Sequence, residues 1–216
     1  ELDSFFGKIS EDKEIRIRII KLFEKIAGSE SIELLKNKIN HHDKEIRYRV
    51  LLALSKLEYR ATPNEFASIK QSISEEVAII IWLMASMNDI GKSEKVNSLI
   101  SALEHELDQK RENVFLLLSL LYDHKTIKHV RERIESKDND SRVYALEIID
   151  ITVSEDLKTL LIPILDDLTL KETISSYNLL FPQEKLSIPE RLKDIVNKDY
   201  SKINSWTKAC ALELMP

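Results

Sequence analysis

The chain is predicted to be all-α: a solenoid of stacked antiparallel helix pairs wound as a right-handed superhelix. Three observations lead there. A short unit recurs every 31 to 33 residues. Glycine and proline are scarce, with 3 and 5 copies in 216 residues, too few for many strands and tight turns. The apolar residues fall at steps of three and four, as on one helical face, for example Ile46, Val50, Ala53, Leu54 and Leu57. A fixed period of this size marks a repeat array in which no unit buries its apolar face alone.

The clearest copies of the unit start at Asp12, Asp43 and Asp138. Each has an arginine four residues on (Arg16, Arg47, Arg142) and an apolar residue four further (Ile20, Leu51, Leu146). The stretch from Asn204 to Leu212 fits the same frame with Lys208 in the arginine place. The full register runs 16, 47, 78, 111, 142, 175 and 208, with Arg111 on it and Ala78 and Ser175 in degenerate copies.

About thirteen helices follow in order. The second helix of each pair carries the register, at about 10–27, 43–59, 74–90, 109–122, 138–153, 169–181 and 201–214. First helices lie between, near 30–39, 64–73, 94–107, 125–136, 155–167 and 188–197. Gly28 and Gly91 stand where a helix end calls for a positive φ. Thr62-Pro63-Asn64-Glu65 and Ser187-Ile188-Pro189-Glu190 read as capping boxes. Asp12, Asp43 and Asp138 precede helices, where a carboxylate accepts from free N–H groups. Pro163 kinks its helix, and 181–187 is an irregular link.

The chain is expected to be a single domain over 1–216. It opens without methionine on the second half of a repeat, which suggests a fragment of a longer protein. An apolar fraction of 43% is enough for a core, and a charged fraction of 32% suits helices with one solvated face. The longest apolar run, Val77–Ala85, is about half of the roughly 20 residues a spanning helix needs, so no direct membrane insertion is expected. The net charge of −5 argues against a broad nucleic-acid surface.

The acidic-x-x-x-Arg signature on the second helix of a pair resembles HEAT repeats. Parts of the second half, including Arg111–Tyr122, Arg142–Asp150, Leu160–Asp167 and Trp206–Leu212, resemble the soluble HEAT region of bacterial ATP/ADP-translocase-like fusion proteins of the nucleotide-transporter, or major-facilitator, type. There the repeats follow a transporter-like membrane domain and often precede a cyclic-nucleotide-binding domain. The resemblance implies a setting: a cytoplasmic region tethered to the inner membrane. It carries no catalytic motif.

Two columns hold the candidate chemistry. Arg16, Arg47, Arg111, Arg142 and Lys208 form either a phosphate ladder or, as their spacing and the HEAT resemblance favour, structural arginines reaching a carboxylate or carbonyl. Two residues on lies a ribbon through Arg18, Arg49, Asn113, Tyr144 and Tyr177. In HEAT-like solenoids second helices line the concave side, so this ribbon is the candidate partner-binding surface; the alternative is that its tyrosines pack and its arginines are solvated. Trp82 is expected in the core and Trp206 against the preceding helix pair. His124 and His129, five apart, do not share a face as metal ligands would. No catalytic, cofactor or metal site is predicted, since Cys210 is alone and no phosphate loop, nucleophile elbow or metal motif occurs.

The leading expectation is therefore a non-catalytic scaffold binding another protein or the neighbouring domains of its parent chain. The alternatives are a DNA glycosylase or other nucleic-acid-binding protein built on HEAT-like repeats, which needs a basic concave face, and a chromophore lyase or isomerase, which lacks a nucleophile.

Overall fold

A computed structural model describes residues 13–136 and 138–215. The Asp12 copy of the cap lies outside the described residues. Among them are eleven α-helices, 76% helix and no strand, so the fold is all-α. The chain divides into two compact units. One takes the chain up to Ser72 together with Phe115–Lys128; the other takes Ile73–Val114 and the chain from His129 on.

In the first unit, α1 (Lys13–Ile26) packs on α3 (Lys44–Lys56), and α2 (Ser29–Lys36) lies against both. Ile20, Phe23, Leu35, Ile46, Val50 and Leu54 are buried at 2% exposure or less and form its core. Asp43 starts α3 as expected, its carboxylate accepting from the N–H groups of Glu45 and Ile46 at 2.9 and 3.1 Å. The glycine expectation fails at Gly28. The helix α1 ends at Ile26, so Ala27 falls in the left-handed position (φ 54°), its N–H closing on the Phe23 carbonyl. Gly28, at φ −82°, becomes the extended cap residue of α2.

The largest departure from the expected pairs lies in the middle. Where four helices were predicted at 64–73, 74–90, 94–107 and 109–122, there are two: α4 (Phe66–Ile90) and α5 (Asn97–Leu121), each 25 residues long. The reason is physical. No glycine or proline occurs from Asn64 to Ile90 or from Lys92 to Ile162. Ile69, Ile73, Val77, Ile80 and Met84 continue one buried stripe straight through the expected turn. Register positions Ala78 and Arg111 therefore sit inside uninterrupted helices. Before α4, a 3-10 turn (Pro63–Glu65) carries the predicted Thr62–Glu65 capping box. After it, Gly91 takes φ +71°, as expected.

The second unit continues through α6 (His124–Glu135, from His129 on), α7 (Asn139–Thr152), α8 (Glu155–Leu165), α9 (Leu170–Ser176), α10 (Ile188–Asn197) and α11 (Ser205–Glu213). The helix α8 packs on α7 and α9, and α10 on α11. The predicted caps at Asp138 and Ser187 are present. Pro163 lies inside α8 and gives no N–H to its ladder; in that turn the Tyr177 hydroxyl donates to the Leu160 carbonyl. The helices α9 and α11 are shorter than expected, because Tyr177–Leu180 closes as a turn and Asn204 caps α11 only from Ser205.

Buried charge ties the irregular link and α10 to α4. Arg191 donates to Asp89 through Nε and Nη2 (3.0 and 2.6 Å) and to Asp194 through Nη1 (2.7 Å). Leu186 N–H also donates to Asp89, and Trp82 Nε1 to Asp194 at 2.8 Å. Glu106, 1% exposed, holds the start of α11 by accepting from Asn204 N–H and the Thr207 hydroxyl. Burying such groups is tolerable only because each is bonded.

Candidate functional site

The arginine column divides residue by residue. Arg47 donates from Nη1 to the His41 carbonyl at 2.9 Å, and Arg142 from Nη1 to Asp167 at 2.9 Å, both in the expected structural manner. Lys208 is buried, its ammonium 3.7 Å from the Tyr200 ring centre. Arg111 has no hydrogen bond among the described residues. It lines a groove of about 430 Å³ with Met87, Ile100, Leu107 and Leu170. Burial lowers its guanidinium pKa, with Asp108 opposing and Arg142 adding to the effect.

The ribbon two residues on is not one exposed surface. Tyr177 is fully buried and Asn113 is 5% exposed, donating to Glu76 at 3.4 Å. Both are packing residues, which corrects their assignment as partner contacts. Tyr177 follows the last residue of the short α9 and turns in under α8, where burial pushes its hydroxyl pKa up. Asn113 faces inward because α5 is continuous there. Arg18 is exposed, with Glu14 at 3.9 Å, and Arg49 is half-buried with its guanidinium 5.7 Å from the Tyr48 ring centre. Tyr144 is 48% exposed.

Tyr144 is the residue around which a site assembles. Asp138 caps α7 by accepting from Ser141 N–H at 2.9 Å, and the apolar residues of α7 extend beyond one stripe: Val143, Tyr144, Ala145, Leu146, Ile148, Ile149 and Ile151. Only Ala145 and Ile149 are buried within the helix. Val143 is 58% and Ile151 83% exposed, and Tyr144, Ile148 and Ile151 fall at i, i+4 and i+7 on one stripe. The Arg133 guanidinium stacks 4.4 Å from the Tyr144 ring centre, and the His129 ring meets Tyr144 edge-on at 6.5 Å. Arg133 Nε donates to His129 Nε2 at 2.7 Å, so His129 presents that nitrogen unprotonated and holds the guanidinium over the ring. Such a patch can bury apolar side chains around a fixed aromatic-cation centre.

Arg133 and Ile151 are not singled out by the sequence, and His129 is weighed there only as a metal ligand. The signal was there in α7, whose apolar residues exceed one stripe. Trp82 is buried as expected, under the Lys198 ammonium at 4.2 Å. Trp206 is not: it is 65% exposed at the wall of a groove of about 450 Å³ that includes Ser98, Ser101 and His105. Cys210 is buried, which pushes its thiol pKa up. Among the described residues no three His, Cys, Asp or Glu side chains gather as a metal would need, and no helix is long and apolar enough to cross a membrane. Comparisons with protein-family models, with curated proteins and with solved structures found no match.

Proposed function

We propose that this chain is a non-catalytic interaction module on the HEAT plan, with α7 presenting the surface on which another protein, or a neighbouring domain of its parent chain, docks. One observation carries the reading: α7 leaves Val143, Tyr144 and Ile151 exposed around a preformed Arg133–Tyr144 stack. Contiguous apolar surface of this kind marks interaction sites, and tyrosine and arginine are the residues favoured at binding hot spots. The HEAT plan is supported by the repeat register, by capped helices at Asp43 and Asp138, and by the structural contacts of Arg47 and Arg142. The unbroken α4 and α5 are where the chain departs from that plan. The setting that goes with it is a cytoplasmic region beside a nucleotide-transporter-like membrane domain.

A pull-down or titration with the flanking domains of the parent protein tests this. Tyr144→Ala is expected to weaken binding by about 1 kcal/mol or more while leaving the fold intact. Normal binding by Tyr144→Ala, with loss on Lys128→Ala in α6, would transfer the function to another face.

A further inference from the structure

The first unit carries a surface of different chemistry. The helix α1 exposes Arg18, Lys21, Leu22, Lys25 and Ile26, which at i, i+3, i+4, i+7 and i+8 form a single face. Across a groove, α3 supplies Arg49, Leu52 and Lys56, at i, i+3 and i+7 on its own face. Ile20 and Leu52 give the groove an apolar floor, and Lys21, Lys25, Arg49 and Lys56 stand on its walls. One carboxylate lines it, Glu24, and that is taken by Lys56 at 2.9 Å. Lys21, Lys25 and Arg49 have no hydrogen bond or ion pair among the described residues, and the Arg49 Nε is buried without a partner.

In a chain of net charge −5, three uncompensated cations in one groove are a local reversal of sign. Like charges gathered this way repel, and each lowers the cost of bringing an anion in. The groove measures about 190 Å³, below the roughly 300–1,000 Å³ of small-molecule pockets. It has room for one or two side chains of a larger ligand. Leu22 and Ile26, 53% and 55% exposed beside Lys21 and Lys25, add an apolar strip along its edge.

We infer that the α1–α3 groove binds an acidic amphipathic peptide segment of a protein partner, with Lys21, Lys25 and Arg49 taking its carboxylates and Leu22 and Ile26 its apolar residues. A peptide fits better than a nucleic acid, for no aromatic side chain lines the groove for bases to stack on. It also fits better than a membrane, because the cations face each other across a groove rather than spreading over a plane. The groove shares no residue with the α7 patch.

The test uses the full chain and a fluorescent synthetic helical peptide with leucine at i, i+4 spacing and glutamate elsewhere, read by anisotropy. The acidic peptide is expected to bind, and to weaken as salt rises toward about 1 M, where screening shortens to about 3 Å. Its lysine counterpart is expected not to bind. The pair Lys21→Glu and Lys25→Glu, both at exposed positions, should weaken binding about tenfold or more, and Arg49→Glu should add to it. Tyr144→Ala should leave it unchanged, while the charge reversals should leave the parent-domain pull-down unchanged. Equal binding of the lysine peptide would overturn the inference. So would charge reversals without effect in protein whose helical circular dichroism is intact. Charge-sensitive binding of a DNA duplex or of phosphatidylserine vesicles, with no binding of the acidic peptide, would assign the groove to those ligands instead.

Discussion

Two helices that carry more apolar residues than one stripe needs, α4 and α7, have opposite fates. In α4 every residue from Val77 to Met87 except Ser86 is apolar, and Val77, Ile80, Ile81 and Leu83 are fully buried. In α7, Val143, Tyr144 and Ile151 remain exposed and only Ala145 and Ile149 are buried. A helix apolar all round belongs in a core or at an interface. The helix α4 has its partners within the chain: Arg191 and Asp194 of α10 bond its Asp89 and Trp82. The helix α7 has α8 on one side, and among the described residues Arg133 and His129 lie against Tyr144 while Tyr144 stays 48% and Ile151 83% exposed. What separates them is how much of the chain folds over each.

The largest expected effect follows from the buried ion pair on the α4 side. Asp89 and Arg191 are each 3% exposed at the side chain. Asp89→Ala leaves the Arg191 guanidinium and the Leu186 N–H without their shared acceptor. The expected loss is about 3–5 kcal/mol of stability, read from denaturant midpoints. Leu83→Ala, on the same helix at 0% exposure, should cost about 2–5 kcal/mol through lost burial and the cavity left behind. If either change were neutral, α4 would not be the core element described here.

Much of this was legible from the sequence, and the failures are instructive. The period located α1, α3, α7 and α11, and the spacing of cap residues identified Thr62–Glu65, Ser187–Glu190, Asp43 and Asp138. It failed where a register was used to impose a turn. Between Ser72 and Glu75, and again around Asp108, nothing chemical ends a helix, so the chain runs on. The same assumption put the buried Asn113 and Tyr177 on the binding ribbon. Two residues past a register position is a fixed angle only within a helix, and Tyr177 comes just after α9 has ended; Asn113 lies within α5, which runs on through the turn that was expected to set its face. Burial from distant elements, as at Asn113 under Glu76, leaves no local mark.

A smaller effect tests the start of α4. The Glu65 carboxylate accepts from the Tyr59 hydroxyl at 2.6 Å, from Thr62 N–H at 2.7 Å and from the Thr62 hydroxyl, and pairs with Lys36 at 2.8 Å. Burial alone would raise its pKa, but the hydrogen bonds from Lys36, Tyr59 and Thr62 outweigh it and hold the group at about 2, against an ordinary 4.5. The folded state thus binds this proton more weakly than the unfolded chain. The stabilisation is complete above pH 4.5 and is lost as pH falls toward about 2. Glu65→Gln should lower stability at neutral pH and flatten that part of the acid titration, measured by thermal melts across the range. A variant with the same acid limb as the parent would separate the cap from the helix it begins.

The smallest effect on folding is expected where the effect on function is large. Ile151 is 83% exposed, so Ile151→Ser removes little that folding has buried, and its unfolding midpoint should stay within about 0.5 kcal/mol of the parent. The same change takes away the far end of the Tyr144–Ile148–Ile151 stripe, and a partner seated on it would lose an apolar contact there. Stability and binding therefore move apart at Ile151, whereas at Leu83 they move together because the fold itself fails. Paired measurements decide the comparison: an unfolding curve and a binding titration for each variant. If Ile151→Ser cost as much stability as Leu83→Ala, the exposed stripe of α7 would be part of the core, and the docking surface would have to be sought elsewhere.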